Sequence, residues 1–118
     1  MSKSIVFNRY GGPEVLELTD RSVGVPGPDE VLIRMVSAGI ARPDLLMRTG
    51  AYPWTKDILP FYPGIYGSGY IEQLGENVTG LSIGQPVYVE HPVVCGCYAE
   101  HKIAPADFVL PVPEGIDL

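Results

Sequence analysis

Glu30-Val31-Leu32-Ile33-Arg34-Met35-Val36-Ser37-Ala38-Gly39 is the clearest strand of the chain, and together with the segment just after it decides the fold class. Side chains alternate along an extended backbone, so Val31, Ile33 and Met35 share one face, while Leu32, Val36 and Ala38 share the other with Arg34. Both faces read as largely covered. Next comes the best helix candidate, Arg42-Pro43-Asp44-Leu45-Leu46-Met47-Arg48-Thr49-Gly50. Pro43 suits the first helical position, Asp44 complements the positive end, and Arg48 and Gly50 close it after about two turns.

Outward from this pair the chain breaks into short extended pieces. Residues 4–10 centre on Ile5-Val6-Phe7 and end at the turn signal Gly11-Gly12-Pro13; residues 14–18 resume in period two until Val25-Pro26-Gly27-Pro28-Asp29 interrupts. Pro53, Pro60 and Pro63 make residues 51–64 largely irregular. Residues 65–74 read as extended, with Gly67 and Gly69 marking a bulge or a close neighbour. A turn at residues 75–80 and strand candidates at 87–91, 97–104 and 108–112 complete the chain. Many short strands, one short helix and no βαβ alternation argue for a small antiparallel barrel or sandwich.

Composition sets the outer limits. With 118 residues, 46% of them hydrophobic, the chain has the size of one domain, able to bury roughly two thirds of its unfolded surface. The net charge of −6 comes from 8 basic and 14 acidic residues with neither sign clustered, which disfavours a nucleic-acid partner. Residues 58–71, the longest stretch without a formal charge, are 14 residues broken by Pro and Gly, too short to cross a membrane. The first nine residues lack the apolar run of a signal peptide, and two cysteines without an export signal point to a reducing cytoplasm.

His91, Cys95, Cys97 and His101 place four soft ligands within eleven residues. On a straight strand Cys95, Cys97 and His101 share a face, but His101 lies too far from Cys95 for one ion, and cysteines one residue apart make an awkward disulfide. We therefore read two part-buried thiols and two ordinary histidines, with no metal site. Asp44 has a structural task, bonding free backbone N–H groups at the helix start. Glu76, Glu100 and Asp107 have no partner at a spacing that suggests acid/base work and read as solvated.

Gly11-Gly12-Pro13-Glu14-Val15-Leu16, Pro26-Gly27-Pro28-Asp29-Glu30-Val31-Leu32-Ile33-Arg34, Ala38-Gly39-Ile40, Asp44 followed by Arg48-Thr49-Gly50, Pro63-Gly64, Leu74-Gly75-Glu76-Asn77-Val78 and Gly96-Cys97-Tyr98-Ala99-Glu100 occur in one order. This ordered set resembles the N-terminal half of medium-chain dehydrogenases/reductases, closest to the quinone oxidoreductase branch. The resemblance implies a mainly β fold, a GroES-like antiparallel β-barrel with one or two short helices over residues 1–118. It also implies a Rossmann domain beyond it, of which this chain has no part: there is no Gly-x-Gly-x-x-Gly, and Gly64-Ile65-Tyr66-Gly67-Ser68-Gly69 has the wrong spacing. The end of the chain then reads as a truncation boundary, and the fragment is expected to fold without turning over.

The implied function is the substrate side of an NADPH-dependent quinone or enone oxidoreductase, a homodimer in its full-length form. Zinc-dependent members carry Cys at the position matching Ala41 and His-Glu at those matching Ile65 and Tyr66, so the resemblance implies no zinc here. The four-cysteine zinc lobe is also missing, since only six residues separate Val89 from Gly96. Arg42 matches a position that is often basic and reaches the dinucleotide pyrophosphate, and a guanidinium beside a helix N-terminus suits an anion. Ala41 stands where related quinone oxidoreductases have an Asn near the nicotinamide, and Pro43 where alcohol dehydrogenases have the Ser or Thr of a proton relay. Both functions are lost, which disfavours alcohol oxidation and leaves conjugate reduction open.

Tyr52, Tyr62, Ile65 and Tyr66 fall around segments that would face the substrate, where a phenol can bond the carbonyl of an enone or quinone. Trp54, Phe61 and Tyr62 are candidates to stack on a flat substrate. Two other readings compete. A freestanding GroES-like assembly module of the co-chaperonin kind is disfavoured by the helix segment and the Pro63-Gly64 turn. A zinc alcohol dehydrogenase domain is disfavoured by Ala41, Ile65 and Tyr66.

Overall fold

The computed structural model describes residues 1–91 and 95–118. Ser2–Phe7 (β1) and Leu16–Arg21 (β2) form an antiparallel hairpin, with Ser2 opposite Arg21 and Phe7 opposite Leu16. Glu30–Gly39 (β3), Arg42–Thr49 (α1), Tyr66–Leu74 (β4), Pro86–Glu90 (β5), His101–Pro105 (β6) and Val109–Pro111 (β7) come next along the chain. Every ladder among the described residues is antiparallel, and α1 is the only α-helix there. The fold is therefore mainly β, as expected. No helix among the described residues is long and apolar enough to cross a membrane.

β3 to β7 form one sheet in the order β6-β3-β4-β5-β7. Laid flat, its outer strands would stand about 19 Å apart, at about 4.8 Å per step. Yet β6 ends at Pro105 and β7 begins at Val109, and a link of that length spans at most about 14 Å. The sheet must curl. Its concave face gathers Val31 and Ile33 from β3, Ile71 from β4, Val87 and Val89 from β5, Ala104 from β6 and Val109 from β7, together with Cys97. All five strands thus contribute to one aliphatic core, as in a barrel.

β3 does not keep both faces covered. Val31, Leu32 and Ile33 are buried, but Val36 is 47% exposed and residues 37–39 are exposed too. Two causes combine. β6 pairs only with Glu30 to Arg34, so the second half of β3 has β4 as its single ladder partner. A register shift between Met35 and Ser37 also inserts Val36 as an extra residue, which ends the alternation read from sequence.

Strand boundaries differ from the sequence reading as well. β1 begins at Ser2 and stops at Phe7, and β6 begins at His101 instead of Cys97. The backbone of residues 97–100 is bonded elsewhere: Cys97 N–H donates to Gly64 O, Tyr98 N–H to Pro63 O and Glu100 N–H to Lys3 O.

A second core lies outside the barrel. Phe7, Val15, Met47, Phe61, Ile65 and Cys95 pack together, with Tyr10, Tyr52 and Tyr66 against them. It joins the hairpin, α1 and the irregular segment 51–64. Gly50 closes α1 in the left-handed conformation (φ 84°), and the Arg48 carbonyl then accepts the Gly11 N–H at 3.0 Å.

Candidate functional site

The first turn of α1 is organised by one buried carboxylate. Asp44, 5% exposed, accepts the Ala41 N–H at 3.0 Å on Oδ2 and the Gly64 N–H at 3.2 Å on Oδ1. The Tyr98 hydroxyl donates to Oδ2 at 3.1 Å. Burial, and then the Asp44 charge, raise the Tyr98 phenol above its ordinary value, which keeps it a donor. An isolated buried carboxylate would be costly; three donors offset that cost.

The structural task expected of Asp44 thus extends beyond capping. It ties the helix start to Gly64, just before β4, and both to Tyr98. Gly64 is required there, because its φ is 110° and a Cβ would lie 2.8 Å from the amide nitrogens of Cys97 and Tyr98. The Pro63 carbonyl accepts the N–H groups of Gly96 at 3.2 Å and Tyr98 at 3.3 Å, which holds the third segment against the second.

The expected site residues distribute unevenly over this frame. Ala41 is half-buried in extended conformation and, through Asp44, is held beside Gly64 and Ile65. Arg42 is exposed at the first helical position. The Ala41 N–H is already bound and Pro43 has none, so what this turn offers an anion is chiefly the guanidinium. Tyr66, half-buried, lies nearly parallel to Tyr88 with ring centroids 6.5 Å apart. Tyr88 donates to Glu90 at 3.2 Å, and burial with that bond pushes its phenol up to about 12. Tyr52 packs on the second core and meets Trp54 edge-on at 5.3 Å.

Three placements bear on the sequence reading. Ile65 is 3% exposed inside the second core, so it backs the site instead of lining an open pocket. Phe61, 6% exposed, packs on Phe7 with centroids 5.4 Å apart and has no face for a substrate. The Arg21 guanidinium sits 3.6 Å from the centre of the Tyr62 ring, so one face of that ring is taken. Of the three stacking candidates only Trp54, 68% exposed, keeps its ring largely open.

His91, Cys95, Cys97 and His101 point to different partners. The His91 ring lies 4.3 Å from Phe108, Cys95 Sγ approaches Met47 Sδ at 3.9 Å, and Cys97 enters the barrel core. His101 Nδ1 is 3.0 Å from Ser2 Oγ, and its Nε2 is 3.5 Å from Glu72. Burial pushes the thiols up to about 12 for Cys95 and about 11 for Cys97. Among the described residues no three His, Cys, Asp or Glu side chains converge as a metal group would need. The stretch between Val89 and Gly96 includes residues 92–94, which lie outside the described residues.

Sequence reasoning missed Tyr98 and Lys102. No local pattern marks Tyr98, because its partner is 54 residues away. Lys102 was legible in principle: its alternation with Ala104 puts it on the inner face of β6, where it pairs across from Ile33 and is 6% exposed.

Comparison with known proteins agrees with this geometry. Residues 27–114 match the alcohol dehydrogenase GroES-like domain. The quinone oxidoreductase of Pseudomonas aeruginosa is 38% identical over 118 residues, covering 99% of this chain and 35% of the relative. The solved structure of Pseudomonas syringae quinone oxidoreductase superposes with a TM-score of 0.90 at 33% identity, covering 99% of this chain and 35% of that one. The Escherichia coli quinone oxidoreductase complexed with NADPH superposes equally well, with a TM-score of 0.90, 27% identity, and coverage of 98% and 34%. This chain therefore spans about a third of the length of the relatives it matches. Its matched residues and antiparallel curled sheet, with one short α-helix among the described residues, establish that the chain belongs to the alcohol dehydrogenase GroES-like domain family.

Proposed function

We propose that residues 1–118 form the substrate-side domain of an NADPH-dependent quinone or enone oxidoreductase that works without zinc. A nucleotide-binding domain outside these residues would hold most of the cofactor. The observation that carries this reading is the Asp44 tie, which sets Ala41 beside Gly64-Ile65-Tyr66. Those are the positions where zinc-dependent relatives would carry their ligands, and here they hold a methyl, a buried sec-butyl and a phenol. This set does not fit a zinc site, which needs three deprotonatable ligands and an open position.

When bound, NADPH supplies a hydride to an electrophilic carbon of the substrate. Arg42 would hold the pyrophosphate through its exposed guanidinium, fixed at the start of a helix that Asp44 anchors. Tyr52 or Tyr66 would donate a hydrogen bond to the substrate carbonyl as negative charge gathers on its oxygen, and water would deliver the proton that completes the reduction. Ile65 backs this surface and keeps it dry from behind. These 118 residues alone would not reduce quinones.

A hybrid tests the reading: residues 1–118 replace the corresponding segment of the Pseudomonas aeruginosa relative, and NADPH oxidation by benzoquinone is followed. Retained turnover that survives metal chelation is expected; loss of activity on chelation overturns the zinc-free mechanism. In the same hybrid Arg42→Ala raises KM for NADPH about tenfold, the worth of one charge-assisted hydrogen bond. An unchanged KM removes Arg42 from the cofactor site, and if neither Tyr52→Phe nor Tyr66→Phe slows turnover, no phenol acts.

A further inference from the structure

We propose that Tyr10 is a positioning residue for substrate selection: its hydroxyl sets residues 51–60 so that the Trp54 indole stands open beside Tyr52 as a stacking wall for flat, ring-bearing substrates. This rests on the reading of residues 1–118 as the substrate side of a reductase, and adds to it a source of selectivity.

Residues 51–60 have neither helix nor ladder to shape them. Within the segment the Thr55 N–H donates to Tyr52 O at 3.3 Å and the Ile58 N–H to Thr55 O at 3.2 Å, both at the long end for such bonds. At its start the Ala51 N–H donates to Leu46 O at 2.9 Å, which fixes the departure from α1. Farther along, the Asp57 N–H donates to the Tyr10 hydroxyl oxygen at 2.6 Å, across 47 residues of sequence. Asp57 has φ 67°. A non-glycine residue takes that left-handed conformation uncommonly and keeps it where its surroundings hold it. The shortest of these bonds thus falls on the residue that most needs one.

Tyr10 is itself held in place. Its ring lies against Gly50, where a Cβ would come to 3.0 Å from the ring atoms, and its centroid is 6.3 Å from that of Phe7 in the second core. The next residue, Gly11, donates its N–H to Arg48 O at 3.0 Å, and its carbonyl accepts from Arg48 Nε at 3.2 Å. The phenol oxygen is therefore fixed by the end of α1, and it passes that position on to Asp57.

What the segment displays is apolar. Thr55 is 3% exposed, whereas Trp54, Ile58 and Leu59 are exposed around it. An indole left in water offers a large flat area, and a ring that lies on it removes apolar surface from water on both partners. Tyr52, which meets Trp54 at 5.3 Å, packs on the second core together with Tyr66, so the indole adjoins the phenols proposed to bond the substrate carbonyl. An acyclic enone has no ring to stack there, and the contact therefore favours quinones over it.

Two measurements test this. Trp54 is the one tryptophan of the chain, so its fluorescence reports on the segment directly. In the 118-residue chain Tyr10→Phe keeps the packed ring and removes only the acceptor oxygen; the Trp54 anisotropy is expected to fall and quenching by acrylamide to rise. Unchanged anisotropy overturns the tie. In the hybrid with the Pseudomonas aeruginosa relative, KM is then compared for naphthoquinone and for methyl vinyl ketone. Trp54→Ala raises the first about fivefold more than the second, the worth of one aromatic contact, and Tyr10→Phe moves the ratio the same way by less. A merely structural Tyr10 would lower stability and leave the ratio alone. A ratio unmoved by either variant overturns the proposal. A hybrid that reduces neither compound counts against the substrate-side reading instead, and the anisotropy then decides on the Tyr10 tie.

Discussion

The two cores of this molecule are built on different principles. The barrel core is aliphatic and draws on every strand of one continuous sheet, so each buried Val or Ile rides on a backbone already fixed by ladder bonds. The second core is aromatic and sulfur-rich, and its buried members come from the hairpin, α1 and irregular segments, none of them in a strand of that sheet. Its geometry depends on side chains, above all on Asp44 and its three donors. The candidate site sits at this second, side-chain-determined region. A rigid barrel carries a surface whose shape is set by a few specific bonds, which lets that surface vary while the scaffold persists.

That contrast can be broken most directly at Ile33, which is fully buried in the barrel. Ile33→Ala is expected to cost about 4 kcal/mol, most of the stability of a small domain, and to lower the urea midpoint for both regions together. A fall confined to one region would show that the barrel does not support the rest. Asp44→Ala comes next, at about 3 kcal/mol from a lost helix cap and a buried Gly64 N–H left without its acceptor. Hydrogen exchange should quicken at Ala41 and Gly64 while Ile33 and Ile71 stay protected; equal loss at the ladder amides would erase the distinction.

Alkali gives the smallest effect. Cys95 in the second core and Cys97 in the barrel hold their protons more tightly when folded, up to about 12 and about 11 against 9.0 when free, because both are buried. Their contribution is complete below pH 9 and is lost as the pH rises from 9 towards those folded values. Lys102, lowered by burial, acts in the opposite sense below 10.5, so the net loss is smaller than the two thiols alone would give. A Cys95→Ala, Cys97→Ala double variant should flatten the stability profile over that interval, as read from thermal unfolding. An unchanged profile would mean that the thiols titrate alike in both states.

Legibility from sequence obeys the same division. Pro43, Asp44 and Gly50 announced α1 because capping is local, and Gly67 and Gly69 announced the tight strand that β4 became. The exposed second half of β3 was not legible, since coverage depends on where β6 stops pairing and on a bulge at Val36. Phe61 was misjudged for a related reason: an aromatic in a proline-rich segment carries no periodicity to show which way it points. Ala41 and Ile65 were named together only through a family resemblance, whereas the bond that joins their segments belongs to Asp44, 20 residues from Gly64.

Taken alone, the sequence determined the class of fold and the position and ends of the helix. These depend on short-range rules: φ preferences of Pro and Gly, side-chain alternation, and the chemistry of the residue present. Only the tertiary structure decided that Asp44 fastens three segments, that Ile65 is buried in the second core, and that Lys102 is buried and donates to the Cys95 carbonyl. Burial and pairing over tens of residues are properties of the closed chain, because desolvation and hydrogen-bond partners exist only once distant segments have met.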